Sequence, residues 1–176
     1  MRAFVAVWPP PDVVERLAAL PRPEVPGLRW TSPDQWHVTL RFLGEVDAEA
    51  AAAAFDDDPR WSAGTGRTVA DVGPVTGLFG RRILHVPVSG LEGLAAATVG
   101  ATAGIGQLPE PRPFAGHITL ARARHARGVE LRPFVGASLA GCWVVREITL
   151  VASRLGAAAD RGALYDIVRR RVLPDA

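Results

Sequence analysis

A chain of 176 residues that is 48% hydrophobic can bury one sizeable core, and no shift in composition divides it, so the sequence predicts a single domain over residues 1–176. No run approaches the roughly 18 to 20 apolar residues that cross a bilayer, and no basic start precedes an apolar export segment, which favours a cytoplasmic protein without membrane contact. The formal charge is only +2 and all 20 basic residues are arginine, as a GC-rich coding sequence would also produce, so only the position of an arginine can indicate a phosphate site.

Short strand-like runs alternate with helix-like stretches along the chain. In chain order the predicted elements are a strand at residues 2–8, a helix at 12–20, a strand at 36–43, a helix at 48–55, strands at 67–72 and 82–88, a helix at 91–105, and strands at 117–122, 143–152 and 163–172. Asp12 can cap the first helix, and Asp47 precedes the second, which is rich in alanine. Helices between antiparallel strands predict an α+β fold.

Two features of the last third of the chain concern other kinds of site. Cys142 is the only cysteine, which excludes an internal disulfide and a cysteine-rich metal site, and its strand-like apolar setting predicts a buried thiol. The run from Arg169 to Arg171 is typical of a solvated edge, which we favour over an RNA-binding patch.

An internal repeat carries the functional interpretation. Two of the four histidines begin the same motif, which reads His37-Val38-Thr39-Leu40 in one place and His117-Ile118-Thr119-Leu120 in the other. The probability that two of four histidines share this context by chance is on the order of one in several thousand. Both motifs lie in predicted strands, so the histidine and threonine of each share one face, about 6 to 7 Å apart, while the residues between them face the other way. Each repeat therefore presents a polar pair above an apolar anchor.

This arrangement suits phosphoryl chemistry. Thr39 and Thr119 can donate hydroxyl hydrogen bonds to phosphate oxygens, while His37 and His117 serve the attacking and the leaving oxygen of an in-line displacement. A metal is not needed for this reaction, and no cofactor is predicted. Since the unperturbed pKa of histidine is about 6.5, one ring can be neutral and the other protonated near neutral pH, which predicts a bell-shaped pH profile.

The chain resembles the two-histidine phosphoesterase superfamily and, within it, the RNA 2′,3′-cyclic phosphodiesterases, also called 2′-5′ RNA ligases. The segments that carry the resemblance are residues 2–7 (RAFVAV), 36–46 (WHVTLRFLGEV), 112–114 (RPF), 116–122 (GHITLAR) and 148–153 (ITLVAS). The resemblance implies two similar lobes, each an antiparallel sheet with outer helices, which form a central groove, and it implies an enzyme that acts on RNA ends carrying a cyclic phosphate. We expect a monomer.

The resemblance also implies a role for each site residue. His37 would give a proton to the leaving ribose oxygen, His117 would activate water, Thr39 and Thr119 would bind phosphate, and the product would be a 2′-phosphate. Arg122 would be a further phosphate ligand. Strict alternation places Arg122 on the opposite face from His117, so the strand must bend there. Arg41 is the competing phosphate contact, because alternation places it on the face of His37 and Thr39.

The sequence also allows expectations about the other two histidines, the aromatic residues and alternative functions. His85 and His125 lack the spacing of metal ligands, and we expect ordinary structural or surface roles for both. Large aromatic residues more often pack the core than stack on bases, and Phe4 and Trp36 are the first two to test for stacking. Two other functions stay open: a noncatalytic module that binds RNA ends, and a phosphodiesterase for a small cyclic phosphate such as an ADP-ribose derivative.

Overall fold

A computed structural model describes residues 1–57, 61, 66–124, 129–155 and 162–175. In these residues the order of elements is β1 (Arg2–Val7), α1 (Pro11–Ala18), β2 (Leu28–Trp30), β3 (Val38–Glu45), α2 (Ala48–Asp57), β4 (Thr68–Val72), β5 (Gly77–Phe79), β6 (Ile83–Ser89), α3 (Glu92–Ala101), β7 (His117–Ala123), β8 (Gly141–Val145), β9 (Glu147–Leu155) and β10 (Ala163–Val172). Short 3₁₀ turns occur at Pro33–Gln35 and Arg132–Phe134. None of the described helices has the length and apolar character to span a membrane. The predicted α+β class is confirmed.

The strands form two antiparallel half-sheets. The first half-sheet has the order β10-β9-β1-β3, and the second has the order β7-β6-β4-β8, with β2 added beside β7 and β5 beside β6. The half-sheets meet where β3 lies beside β7, at the pair Val38 and Ile118. Because these two residues belong to the repeated motifs, the repeat lies at the centre of the molecule.

The duplication extends to a strand–helix–strand unit in each half of the chain. The first unit is β1-α1-β3 and the second is β6-α3-β7, and in each unit the two strands pair antiparallel. The helix of each unit contacts the other half-sheet. Arg16 of α1 donates to the carbonyl of Ala140 beside β8, and Arg41 of β3 donates to the carbonyl of Val99 in α3. One buried cluster, which includes Val13, Leu84 and Ile118, therefore joins both halves.

The element boundaries differ from the predictions at several places, most of them by one or two residues. The helix α1 starts at Pro11, which has no N–H to cap, so Asp12 lies inside the first turn and caps nothing. The helix α3 ends at Ala101, four residues before the predicted end. The predicted strand at residues 143–152 is two strands, because the chain turns at Arg146, whose carbonyl accepts from the Leu173 N–H.

Cys142 is exposed, which corrects the predicted buried thiol. It lies on β8, where Trp143 and Val145 face the core and Cys142 and Val144 face outward. The apolar composition of this segment was misleading, because β8 is the last strand of the second half-sheet and buries only one face.

The arginine run lies on the outer strand β10 and is held by intramolecular partners. Arg169 pairs with Asp56 at 3.0 Å, and Arg170 pairs with Glu147 at 2.5 Å. Arg171 donates to the carbonyls of Phe55 and Asp56 at the end of α2. The run is therefore part of the contact between β10 and α2, at the solvated edge that the sequence predicted.

Candidate active site

Each histidine motif begins a central strand. His37 directly precedes β3, and His117 is the first residue of β7. In both rings Nδ1 lies 2.8 Å from the backbone carbonyl oxygen two residues earlier, that of Gln35 and that of Ala115. A neutral ring therefore carries its proton on Nδ1 and donates it to the carbonyl, a tautomer assigned from these bonds. This leaves Nε2 of each ring to accept or give a proton.

The two motifs converge on one pocket of about 360 Å³. Its lining includes His37, His117, Thr39, Thr119, the three arginines Arg2, Arg29 and Arg122, and the aromatic residues Phe4, Phe42 and Tyr165. Among the described residues that line the pocket, none is an aspartate or a glutamate. The pocket is therefore a cationic site in which two histidines and two threonines share one space.

A β-bulge in β3 reverses the alternation after Thr39. Thr39 pairs with Ala6 and Arg41 pairs with Val5, so Leu40 is the extra residue of the bulge. Beyond a bulge, the residues that face one side shift by one position. Phe42 consequently shares the pocket face with Thr39, and Arg41 faces away.

The same bulge occurs in β7. Thr119 pairs with His85 and Ala121 pairs with Leu84, so Leu120 is the extra residue. Arg122 therefore shares the pocket face with Thr119, as the expected bend requires. Burial lowers the pKa of Arg122, and the neighbouring cations Arg29 and Arg82 lower it further. The structure places Arg122 in the same pocket as both histidines and both threonines.

Arg41 does not lie in the pocket, which corrects the prediction from strict alternation. Its side chain is only 5% exposed. The guanidinium donates to the carbonyls of Val99, Ile105 and Gln107 at 3.0 to 3.2 Å and to Oγ1 of Thr102 at 2.6 Å. Arg41 thus satisfies acceptors at the C-terminal end of α3 and supports the fold.

Aromatic side chains enclose His37. The ring centroids of Phe4, Tyr165 and Trp8 lie 4.7, 5.0 and 5.3 Å from the imidazole centroid. Burial lowers the pKa of His37 to about 4, against the opposing effect of the Gln35 carbonyl, and the charges of His117 and Arg122 lower it further. His37 is therefore neutral near pH 7 in the free protein.

His117 has a different environment. Phe79 lies 4.7 Å away edge-on, and Phe79 stacks flat on His85 at 3.8 Å. Burial lowers the pKa of His117, the Ala115 carbonyl raises it, and the charges of Arg122 and Arg112 lower it. His85 is 7% exposed and its ring centroid lies 5.7 Å from that of His117, so it is a buried neighbour of the site.

The remaining sequence candidates have mixed outcomes. Trp36 is fully buried and donates through Nε1 to Oγ1 of Thr31, so it belongs to the core and cannot stack on a base. Phe4 lines the pocket but its ring stacks on His37. His125 lies outside the described residues. Within the described part of the chain, no cluster of three or more His, Cys, Asp or Glu side chains could hold a metal ion.

Sequence reasoning missed several pocket residues, among them Tyr165, Arg29 and Arg2. Tyr165 is the only tyrosine and lies on β10, and burial raises the pKa of its hydroxyl. Arg29 lies on β2, a strand too short to show a period. Tyr165 could have been found from its place in an alternating strand, whereas Arg29 required the pairing of β2 with β7.

Comparisons with known proteins place this geometry among phosphoesterases. The family model described as LigT like Phosphoesterase matches residues 7–66, which include the His37 motif. The structure superposes on TT0787 of Thermus thermophilus with a TM-score of 0.80 and 25% identity over 99% of both chains. It superposes on E. coli LigT complexed with 3′-AMP with a TM-score of 0.73 and 27% identity, over 98% of this chain and 97% of that one. No curated protein sequence gives a significant match.

Proposed function

We propose that this chain, which is similar to LigT-like phosphoesterases in residues 7–66 and in its whole fold, hydrolyses the 2′,3′-cyclic phosphate ends of RNA to 2′-phosphates. In this proposal His37 is the acid and His117 is the base. The observation that carries the proposal is the convergence of two His-x-Thr motifs on one cationic pocket. The 3′-AMP held by E. coli LigT is a nucleotide with a ribose phosphate, which supports a nucleotide end as the substrate.

Phosphate binding comes first. The hydroxyls of Thr39 and Thr119 donate to two phosphate oxygens from opposite strands, and the Arg122 guanidinium donates to a third position of the same anion. These donors belong to rigid strands on both sides of the junction, so they hold the phosphorus between the two imidazoles.

Proton transfer follows in line. His117 takes a proton from water as the water oxygen forms a bond to phosphorus, and His37 gives a proton to the 3′ oxygen as the bond between phosphorus and that oxygen breaks. One water is consumed, a 2′-phosphate and a 3′-hydroxyl are formed, and transfer of a proton from His117 back to His37 through solvent restores the enzyme. The neutral His37 of the free protein gains its proton in the complex, because the phosphate charge opposes the effect of burial.

The direct test uses RNA that ends in a 2′,3′-cyclic phosphate, incubated with the protein and a chelator, with the product isomer assigned. We expect a 2′-phosphate without added metal. His37→Ala and His117→Ala should each lower turnover by about 100-fold or more. Absence of hydrolysis by the unmodified protein would overturn the proposal. A higher kcat/KM on ADP-ribose 1″,2″-cyclic phosphate would assign the same chemistry to a small substrate.

The division of roles needs a separate substrate. In an RNA end whose leaving 3′ oxygen is replaced by sulfur, the leaving group departs without a proton, so it does not need the acid. His37→Ala should regain most of its lost turnover on this substrate, and His117→Ala should not. The reverse pattern would exchange the two roles and leave the activity itself established.

A further inference from the structure

Two arginines stand side by side on the pocket wall that the second repeat contributes. Arg29 of β2 is the direct cross-strand partner of Arg122 of β7, and both line the pocket. Like charges directly opposite each other in a sheet destabilise it unless an anion lies between or beside them. The pairing therefore points to a ligand with negative charge along this wall.

The Arg29 side chain is fixed in place by neutral groups. Its Nη1 lies 3.4 Å from Oε1 of Gln35, and the guanidinium rests against Gly162, where a Cβ would collide with it. No carboxylate partner of Arg29 occurs among the described residues, whereas Arg154, Arg169 and Arg170 of the outer strands all have one. Arg29 is thus held in position, and none of the described carboxylates compensates its charge.

The charge of the pocket exceeds the need of the reacting group. A cyclic phosphate diester carries one negative charge, and Arg122 with the two threonines already supplies a cation and two hydroxyl donors. Arg2, the third arginine, is exposed and lies over the Phe42 ring at 4.8 Å on the opposite wall. Arg29 is therefore the half-buried cation that a single cyclic phosphate leaves unused.

We propose that Arg29 binds the phosphodiester on the 5′ side of the terminal nucleotide, so that the protein selects RNA ends over free cyclic mononucleotides. This inference rests on the proposed function and assigns a specificity residue within the same pocket. RNA supplies this second anion one nucleotide from its end, and a cyclic mononucleotide with a free 5′-hydroxyl lacks it.

The test compares two substrates with the same terminal nucleoside, a cyclic mononucleotide and a short RNA oligonucleotide that ends in the same cyclic phosphate. The unmodified protein should show a lower KM for the RNA. Dividing the KM of the mononucleotide by the KM of the RNA gives a ratio above one for the unmodified protein. Arg29→Gln should lower this ratio by about tenfold, the effect expected for one charge-assisted bond to phosphate. Arg146→Gln is the matched control, since Arg146 is an exposed arginine outside the pocket lining.

The salt dependence of KM is a second measurement, and it would not change if Arg29 only supported the fold. For the RNA, the slope of log KM against log salt should fall by about 0.7 in Arg29→Gln, as expected when one phosphate contact to a single strand is lost. Arg29→Lys keeps the charge and should retain most of this slope. If Arg29→Gln folds poorly, the lysine variant still provides the test.

Equal losses on both substrates, or an unchanged ratio, would overturn the assignment of Arg29. Failure of the unmodified protein to open either substrate would instead overturn the proposed function, so the two failures are distinguishable.

Discussion

The two histidines have the same tautomer and the same backbone partner position but differ in enclosure. Three aromatic rings surround His37, whereas His117 is flanked by Phe79 and His85. Burial lowers both pKa values in the free protein, that of His37 to about 4. Acid–base catalysis requires one ring with a proton and one without, so this burial sets the pH at which the free enzyme is competent.

We therefore predict that kcat/KM is highest on the acid side of pH 6.5. Above both pKa values neither ring carries a proton and the acid is missing, and below both values the base is missing. The kcat profile should lie at higher pH, because the bound phosphate raises both pKa values. Steady-state kinetics from pH 4 to 9 provide the measurement. A kcat/KM that rises between pH 7 and 8 would contradict the prediction.

Arg41 offers a prediction about stability. Arg41→Met removes the donor from three carbonyls and one hydroxyl at the end of α3, and orphaned acceptors of this kind cost about 1 to 3 kcal/mol of unfolding free energy. Denaturant unfolding measures this loss, and kcat/KM should stay within about twofold of the unmodified value, a margin of about 0.4 kcal/mol in transition-state stabilisation.

Arg16→Met is the control for Arg41, since the exposed Arg16 side chain donates to one carbonyl, that of Ala140. A smaller loss of stability is expected there. A large loss of activity in Arg41→Met without a loss of stability would instead indicate that Arg41 has a role in the active site.

At the scale of elements, the helix α2 depends on a side-chain cap. Oδ1 of Asp47 accepts from the Ala50 N–H at 2.9 Å. Asp47→Ala should lower the unfolding free energy by about 1 kcal/mol, and Asp47→Asn should lower it by less, because an asparagine carbonyl can make the same bond. Chemical denaturation of the three proteins is the check, and equal stability of the alanine variant would remove the capping role.

The paired bulges explain which parts of the site could be predicted from the sequence. The histidines and threonines precede Leu40 and Leu120, so simple alternation places them correctly on one face. Arg41 and Arg122 follow the bulges, where alternation gives the wrong face for both. The resemblance to a known family placed Arg122 correctly, since it does not depend on strand period.

Other misses have comparable physical causes. The strands β2 and β5 have three residues each, which is too few for a hydrophobic period, so Arg29 on β2 had no predicted position. The exposure of Cys142 depends on the outer face of β8 being uncovered, which the apolar composition of the strand does not reveal. Trp36 lies beside His37 in sequence, but its ring enters the core, which is the more common place for a large aromatic residue.

At the scale of the whole molecule, the two half-sheets share one core and should unfold together. Ile118 is fully buried at the junction, so Ile118→Ala should cost about 2 to 5 kcal/mol and lower the stability of both halves in one transition. Calorimetry, together with near- and far-ultraviolet circular dichroism, measures this. Two separate transitions would show that the half-sheets are independent. Val69→Ala is the control, since Val69 is 48% exposed on β4.

The bulges also bear on the regiochemistry of the reaction. The pocket-facing positions two residues beyond Leu40 and Leu120 are equivalent by the internal duplication, yet one carries Phe42 and the other Arg122. A perfectly two-fold symmetric pocket would accept a cyclic phosphate in two orientations related by a half-turn, and it would open either ring bond. The unlike pair removes that degeneracy. On the proposed function, this unlike pair, together with the different enclosure of the two histidines, favours a single product isomer.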